Sequence, residues 1–327
     1  MSRHRFRAGD RVVVRSPAEI LSTLDADGTL DGLPFMPEML EWCGKAFLVE
    51  RRAEKTCVDV APPVYPNRRF AANDVVFLDG LRCDGQGHDG CGRGCKVFWK
   101  EDWLVPFDSV DMSAQTLGTG LDELLPRLKT KSDESHYFCQ STQLHKATEA
   151  FPGNKKLWRL RIIGREIRNG DRSVAEILRL LLLWSGQRLL RAVHGEEWLR
   201  GPHERGPASS LGLKPGEVVR VKGRAEMVAT LDHRRSNRGL RICYEMTRYC
   251  EGHAEVRDRV DRMIDERTGE MREIRDTVTL RNMRRKKLTL RPSECLCADE
   301  TGDCPRGELM YWREIWLERA NRNNDTG

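Results

Sequence analysis

The chain has 327 residues, with 56 Lys and Arg against 50 Asp and Glu, a formal net charge of +6 and a mean hydropathy of −0.60. At about 100–150 residues per domain that length predicts two or three domains, and aromatic and branched aliphatic residues recur too evenly for wholesale disorder. The basic start, Met1–Arg7, runs into Ala8-Gly9-Asp10-Arg11 rather than an apolar signal core, and the longest apolar run, Ile177–Trp184, is broken by Arg179. A soluble cytoplasmic protein without a membrane span is the expectation. Eleven cysteines in such a compartment point to ligands or redox groups before structural disulfides.

Gly9–Asp25 aligns without gaps to Gly216–Asp232, an offset of 207 that also matches Gly32-Leu33 to Gly239-Leu240, Glu38-Met39 to Glu245-Met246 and Cys43 to Cys250. At an offset of 213, Cys91 matches Cys304, and Phe98–Leu104 matches Tyr311–Leu317. Two diverged copies of one unit are therefore expected, over 6–108 and 212–320, separated by a helical middle over 109–211.

In chain order, the Gly9-Asp10 turn leads into Arg11–Val14, where charge and valine alternate as in a half-buried strand. Ser16-Pro17-Ala18-Glu19 then offers an N-cap, a proline at the first helical position and a capping-box glutamate. Leu30–Leu40 predicts a loop with one helical turn. Phe47-Leu48-Val49 and Val75–Leu78 predict strands, and Asp84–Gly94, with five glycines, predicts a loop. Leu121–Leu128 and Ser173–Val193 carry helical spacing, the second capped by Ser173 and Glu176. In the second copy, a hairpin is expected around Thr268-Gly269 and a strand over Thr277–Leu280. The fold class expected is α+β, mainly β, with two SH3-like barrels.

The Gly-Asp/Glu turn before the first strand resembles small SH3-like barrels of the KOW type. Leu33-Pro34-Phe35-Met36-Pro37-Glu38-Met39, Lys55-Thr56-Cys57, Leu81-Arg82-Cys83-Asp84-Gly85, Phe98-Trp99-Lys100-Glu101 and Tyr311–Leu317 are similar to an uncharacterised family of cysteine-rich bacterial proteins. That resemblance implies no activity.

The candidate chemistry centres on Cys83-x7-Cys91-x3-Cys95, with His88 inside the loop and Cys57 upstream. Thiolates suit Zn²⁺ or an iron–sulfur cluster, and glycines 85, 87, 90, 92 and 94 allow the backbone to wrap an ion. The preferred ligands are Cys57, Cys83, Cys91 and Cys95, with His88 or Cys43 as substitutes. A second site would draw on Cys295, Cys297, Cys304 and Cys250 or His253, although Ile264 and Glu308 stand where the first copy has Cys57 and Cys95. Cys139 is a lone thiol that packs, reaches across as a ligand, or acts as a nucleophile with His136 or His145 as base. The run Arg281–Lys287 admits a nucleic-acid partner or a solvated loop, and the Trp99/Trp103 and Trp312/Trp316 pairs are expected core anchors. A metal-binding scaffold or binding protein, with zinc foremost, is the leading reading. A metal-dependent enzyme and a nucleic-acid binder are the alternatives.

Overall fold

The computed structural model describes residues 6–58, 67–109, 120–152, 155–194, 199–242, 244–285, 288–289 and 306–320. Two compact units emerge: 1–177 with 264–272, and 178–263 with 273–327. The expected middle segment, 109–211, is thus divided between them at 177/178.

In the first unit, β1 (Arg11–Val14) is followed by α1 (Pro17–Thr23), which carries the expected Ser16–Glu19 capping box. A two-residue ladder, Thr29–Leu30 with Leu33–Pro34, and a 3-10 turn over Pro37–Trp42 lead into β2 (Ala46–Arg52). Then come β3 (Thr56–Cys57), β4 (Asn67–Arg69), β5 (Val75–Leu78), β6 (Trp99–Lys100) and β7 (Leu104–Pro106). The main sheet is antiparallel in the order β6–β5–β2–β1–β7. The helices that follow are α2 (Gln140–Ala147) and α3 (Lys155–Arg168), with β8 (Glu149–Ala150) pairing β4 in a small sheet β8–β4–β3; α4 (Val174–His194) begins in this unit and from Leu178 onward belongs to the second.

The second unit holds β9 (Val218–Val221), α5 (Arg224–Val228), β10 (His253–Arg259), β13 (Thr277–Arg285), β14 (Tyr311–Arg313) and β15 (Leu317–Arg319). The intervening strands β11 (Arg262–Ile264) and β12 (Met271–Glu273) form the hairpin expected around Thr268-Gly269. Strand pairing gives the order β14–β13–β10–β9–β15, the order of the first sheet. The registers agree too: Val12 faces Phe47 and Val219 faces Ala254, each 207 residues on. A bulge falls between Val49 and Arg51 in one sheet and between Val256 and Asp258 in the other.

Both units bury the same anchors. Trp99, Trp103, Trp312 and Trp316 are fully buried, and Trp103 and Trp316 each donate their indole N–H to a threonine, Thr23 at 3.1 Å and Thr230 at 3.0 Å. Beside them, Glu101 accepts from Phe6 N and from the Arg52 guanidinium (2.5 Å). Its counterpart Glu314 accepts from Ser210, from the backbone N–H groups of Leu211, Gly212 and Leu213, and from Arg259 at 2.6 Å. A buried carboxylate needs such partners, since burial without them is costly.

Three expectations change. Pairing joins no outer strands in either sheet, so no closed barrel forms among the described residues. Helix is not a minor component, because α3 and α4 add 14 and 21 residues. Lys155–Arg168 escapes pattern reading because cations and Gly164 interrupt its apolar stripe. The basic run is also strand rather than loop as far as Arg285, and Arg281 pairs with Glu255. Lys286 and Lys287 lie outside the described residues.

Asp171, just beyond α3, accepts from Arg52 N at 2.9 Å, and burial, reinforced by Glu54 and Glu166, raises its carboxyl to about 6. Because the folded value lies above the unfolded one, the fold favours the protonated acid and loses stability as pH rises through 6. Asp171→Asn is expected to stabilise the protein by about 1–2 kcal/mol at alkaline pH, after allowance for partial exposure. At pH values below the carboxylate range it is expected to change nothing; denaturant melts at the two extremes check the sign. Glu314→Ala is expected to cost about 3 kcal/mol or more, whereas Glu318→Ala, which breaks the half-exposed pair with Arg220, costs less than about 1 kcal/mol in the same melts.

Candidate functional site

The loop between β5 and β6 is closed at its base by a short antiparallel bridge. Arg82 faces Lys96, Cys83 N donates to Cys95 O at 2.8 Å, and the Arg82 guanidinium donates to Gly94 O at 2.9 Å. These bonds hold the first and last cysteines of the loop side by side. Inside it, a single 3-10 turn, Gln86–His88, brings the chain back on itself, with His88 N on Gly85 O and Cys91 N on His88 O. Gly85 has φ +72, and a Cβ there would stand 2.1 Å from Cys91 O, so only glycine permits the Cys91 backbone to close against it.

His88 is 1% exposed and links the loop to two other segments. Its Nδ1 meets Glu38 Oε1 at 2.6 Å and its Nε2 meets Phe138 O at 3.1 Å. The Phe138 carbonyl can only accept, so Nε2 carries a proton, and the Glu38 carboxylate beside Nδ1 favours a second proton there. Burial opposes that charge, but the hydrogen bond and charge of Glu38, with the Phe138 carbonyl, raise the His88 pKa overall. Burial likewise works against the Glu38 carboxylate, and the bond and charge of His88 bring it below the usual range. Glu38 Oε1 also receives the Cys83 thiol at 3.7 Å, while its buried Oε2 has no hydrogen-bond partner among the described residues.

Phe138 precedes Cys139, the residue capping α2, and Gln140 fixes that end of the helix. The Gln140 side-chain amide donates to Pro34 O and Phe98 O and accepts from Phe98 N, at 3.0, 2.9 and 2.8 Å. Cys139 is thereby brought to the loop. Burial pushes its thiol up, with Cys91 adding to the shift; burial pushes Cys83 up as well, followed by the nearby Glu38, Cys95 and Cys139. Cys83, Cys91, Cys95 and Cys139 thus lie in one neighbourhood, Cys91 and Cys139 buried and Cys83 and Cys95 half-buried.

The tip of the β11–β12 hairpin, which belongs to the first unit, borders the same neighbourhood. Ile264 N donates to Cys91 Sγ at 3.4 Å, and Glu266 pairs with Arg93 at 2.9 Å and accepts from Ser141 at 3.2 Å. Gly269 O accepts from Tyr137 N at 2.7 Å, and the Tyr137 hydroxyl donates to Asp89 at 2.5 Å.

Of the expected ligands, the structure therefore assembles Cys83, Cys91 and Cys95, with His88 engaged by Glu38. Cys57 is buried in β3, in the small sheet β8–β4–β3. Cys43 ends the 3-10 turn before β2, and burial pushes its thiol up to about 12. Its counterpart Cys250 sits in the apolar core of the second unit with its Sγ 3.8 Å from Met227 Sδ. Both are core residues, because a small thiol fills an apolar position at little cost. Cys295, Cys297 and Cys304 lie outside the described residues. No disulfide joins any two of the seven described cysteines. Among the described residues, no three His, Cys, Asp or Glu side chains already converge on one point as ion ligands do.

Sequence reasoning underrates Cys139 and misses Glu38 and Gln140. Nothing local distinguishes a buried Glu after a proline, and Cys139 lies 44 residues beyond Cys95 with no spacing motif to join them. No protein-family model, no curated protein and no solved structure matches the chain.

The loop geometry predicts a reactivity difference. Buried thiols are hard for a reagent to reach, so Cys91 and Cys139, both buried, are expected to resist alkylation in the native protein. Gly85→Ala, which drives a methyl group into the Cys91 carbonyl, is expected to speed their alkylation at least tenfold. Gly80→Ala, at φ +75 but facing nothing within 4 Å, should leave them protected. Peptide mass mapping after timed alkylation reads both outcomes.

Proposed function

We propose that the first unit is a metal–thiolate module in which Cys83, Cys91, Cys95 and Cys139 hold one ion, with zinc the metal that fits best. The observation that carries this reading is the proximity of four thiols from two separate segments, the β5–β6 loop and the start of α2, in one neighbourhood that buries two of them and half-buries the others. Four sulfurs match the closed tetrahedral set of structural zinc. The ion replaces thiol protons as it binds, so affinity rises with pH. On this reading His88 and Glu38 hold the loop in place, and Cys57 leaves the ligand set in favour of Cys139.

The shared strand order, the shared registers and the 3-10 turn ahead of the last strand support an SH3-like connectivity and an internal duplication. The whole is then a metal-stabilised scaffold for partner binding, and cysteines outside disulfides suit a cytoplasmic location. Arg281 is engaged by Glu255, which takes support from the nucleic-acid alternative.

Protein purified without oxygen is expected to be colourless and to hold about one zinc per chain through the Cys83–Cys139 set. Cys139→Ser and Cys83→Ser should each remove most of that metal, while Cys57→Ser and Cys250→Ser retain it. Full zinc in Cys139→Ser would overturn the ligand set. A brown protein with stoichiometric iron and acid-labile sulfide would replace zinc with an iron–sulfur cluster.

A further inference from the structure

Helix α4 leaves a row of large aliphatic side chains in solvent. Leu178 is 56% exposed, Leu182 74%, Leu189 65% and Val193 68%, flanked by Val174 and Leu181. At about 100° per residue the four fall within a stripe roughly 60° wide. Ser185 and Gly186 lie exposed at its centre, and a Cβ placed on Gly186 would meet nothing within 4 Å.

The stripe is symmetric along the helix. Reversal about the Ser185–Gly186 bond exchanges Leu178 with Val193 and Leu182 with Leu189, apolar for apolar at these four positions, while the flanking Val174 falls opposite Glu197 in sequence. Such self-complementarity is what a two-fold contact between identical surfaces requires, because residue i of one copy meets residue j of the other and the reverse. The small residues fall where two antiparallel helices would cross, allowing close backbone approach without removing an apolar contact.

We propose that α4 is the contact surface of a two-fold symmetric dimer of this chain, with the two helices antiparallel and crossing at Ser185–Gly186. With Val174 and Leu181 included, the exposed aliphatics amount to on the order of 600 Å² per copy, or about 1,200 Å² for a pair, which clears the roughly 1,000 Å² that a specific interface needs and stands at the upper end of the about 300–600 Å² that the largest apolar patch of a monomer covers. A second copy explains the symmetry. A lipid surface or an unrelated partner places no premium on a stripe that reads alike in both directions, nor on a gap at its midpoint. None of the described helices is long and apolar enough to cross a membrane.

The test is sedimentation equilibrium of the full chain at tens of micromolar, with Leu182→Glu/Leu189→Glu and Gly186→Leu beside the wild type. The wild type is expected to be a dimer whose melting temperature rises with protein concentration, and the double variant a folded monomer whose melting temperature does not. Gly186→Leu is expected to weaken association at least tenfold. A photo-crosslinking residue at position 185 should link to residues 178–193 of the second copy. A monomeric wild type would overturn the proposal, whether or not it co-sediments with anionic vesicles. So would a dimer that the double variant leaves intact, or crosslinks from position 185 that fall elsewhere.

Discussion

A buried carboxylate at the start of a 3-10 turn organises each unit. Glu101 and Glu314 stand one residue after the second-last strand of their sheets and receive the arginine that ends the long second strand, Arg52 or Arg259. They also receive the backbone of the segment that leads into the first strand, through Phe6 in one unit and Leu211–Leu213 in the other. One charge thus joins the beginning, the middle and the end of the unit. The cost of burying it is offset only when every partner is present, so the arrangement disfavours partly assembled alternatives. The tryptophans on either side pack around this joint, and the strand registers follow from it.

What differs between the units is what the shared frame carries. Between β5 and β6 the first unit inserts the glycine-rich cysteine loop, and α2, pinned by Gln140, delivers Cys139 to it. The loop has little apolar surface of its own. It is held by backbone bonds at its base and by His88, sealed between Glu38 and the Phe138 carbonyl.

Much of the frame was legible from local pattern. The alternation in Arg11–Val14, the capping boxes at Ser16 and Ser173, the hairpin at Thr268-Gly269 and the tryptophan pairs all depend on neighbours within a few residues. The offset of 207 between copies returned in the pairing registers because equal spacing along the chain fixes which residues face each other. The open sheets and the helix α3 were not legible in the same way. Closure depends on how far a sheet coils, and α3 has an interrupted stripe that tertiary packing overrides.

The sequence by itself determined that cysteines and glycines concentrate in one loop, because composition and short spacing are properties of the chain alone. It also determined that Cys43 and Cys250 hold matching places. Only the tertiary structure decided that those two are core residues and that Cys139 joins Cys83, Cys91 and Cys95. Burial and the approach of distant segments set a thiol's surroundings, and a hydrogen bond such as His88 to Phe138, spanning 50 residues, leaves no trace in local order.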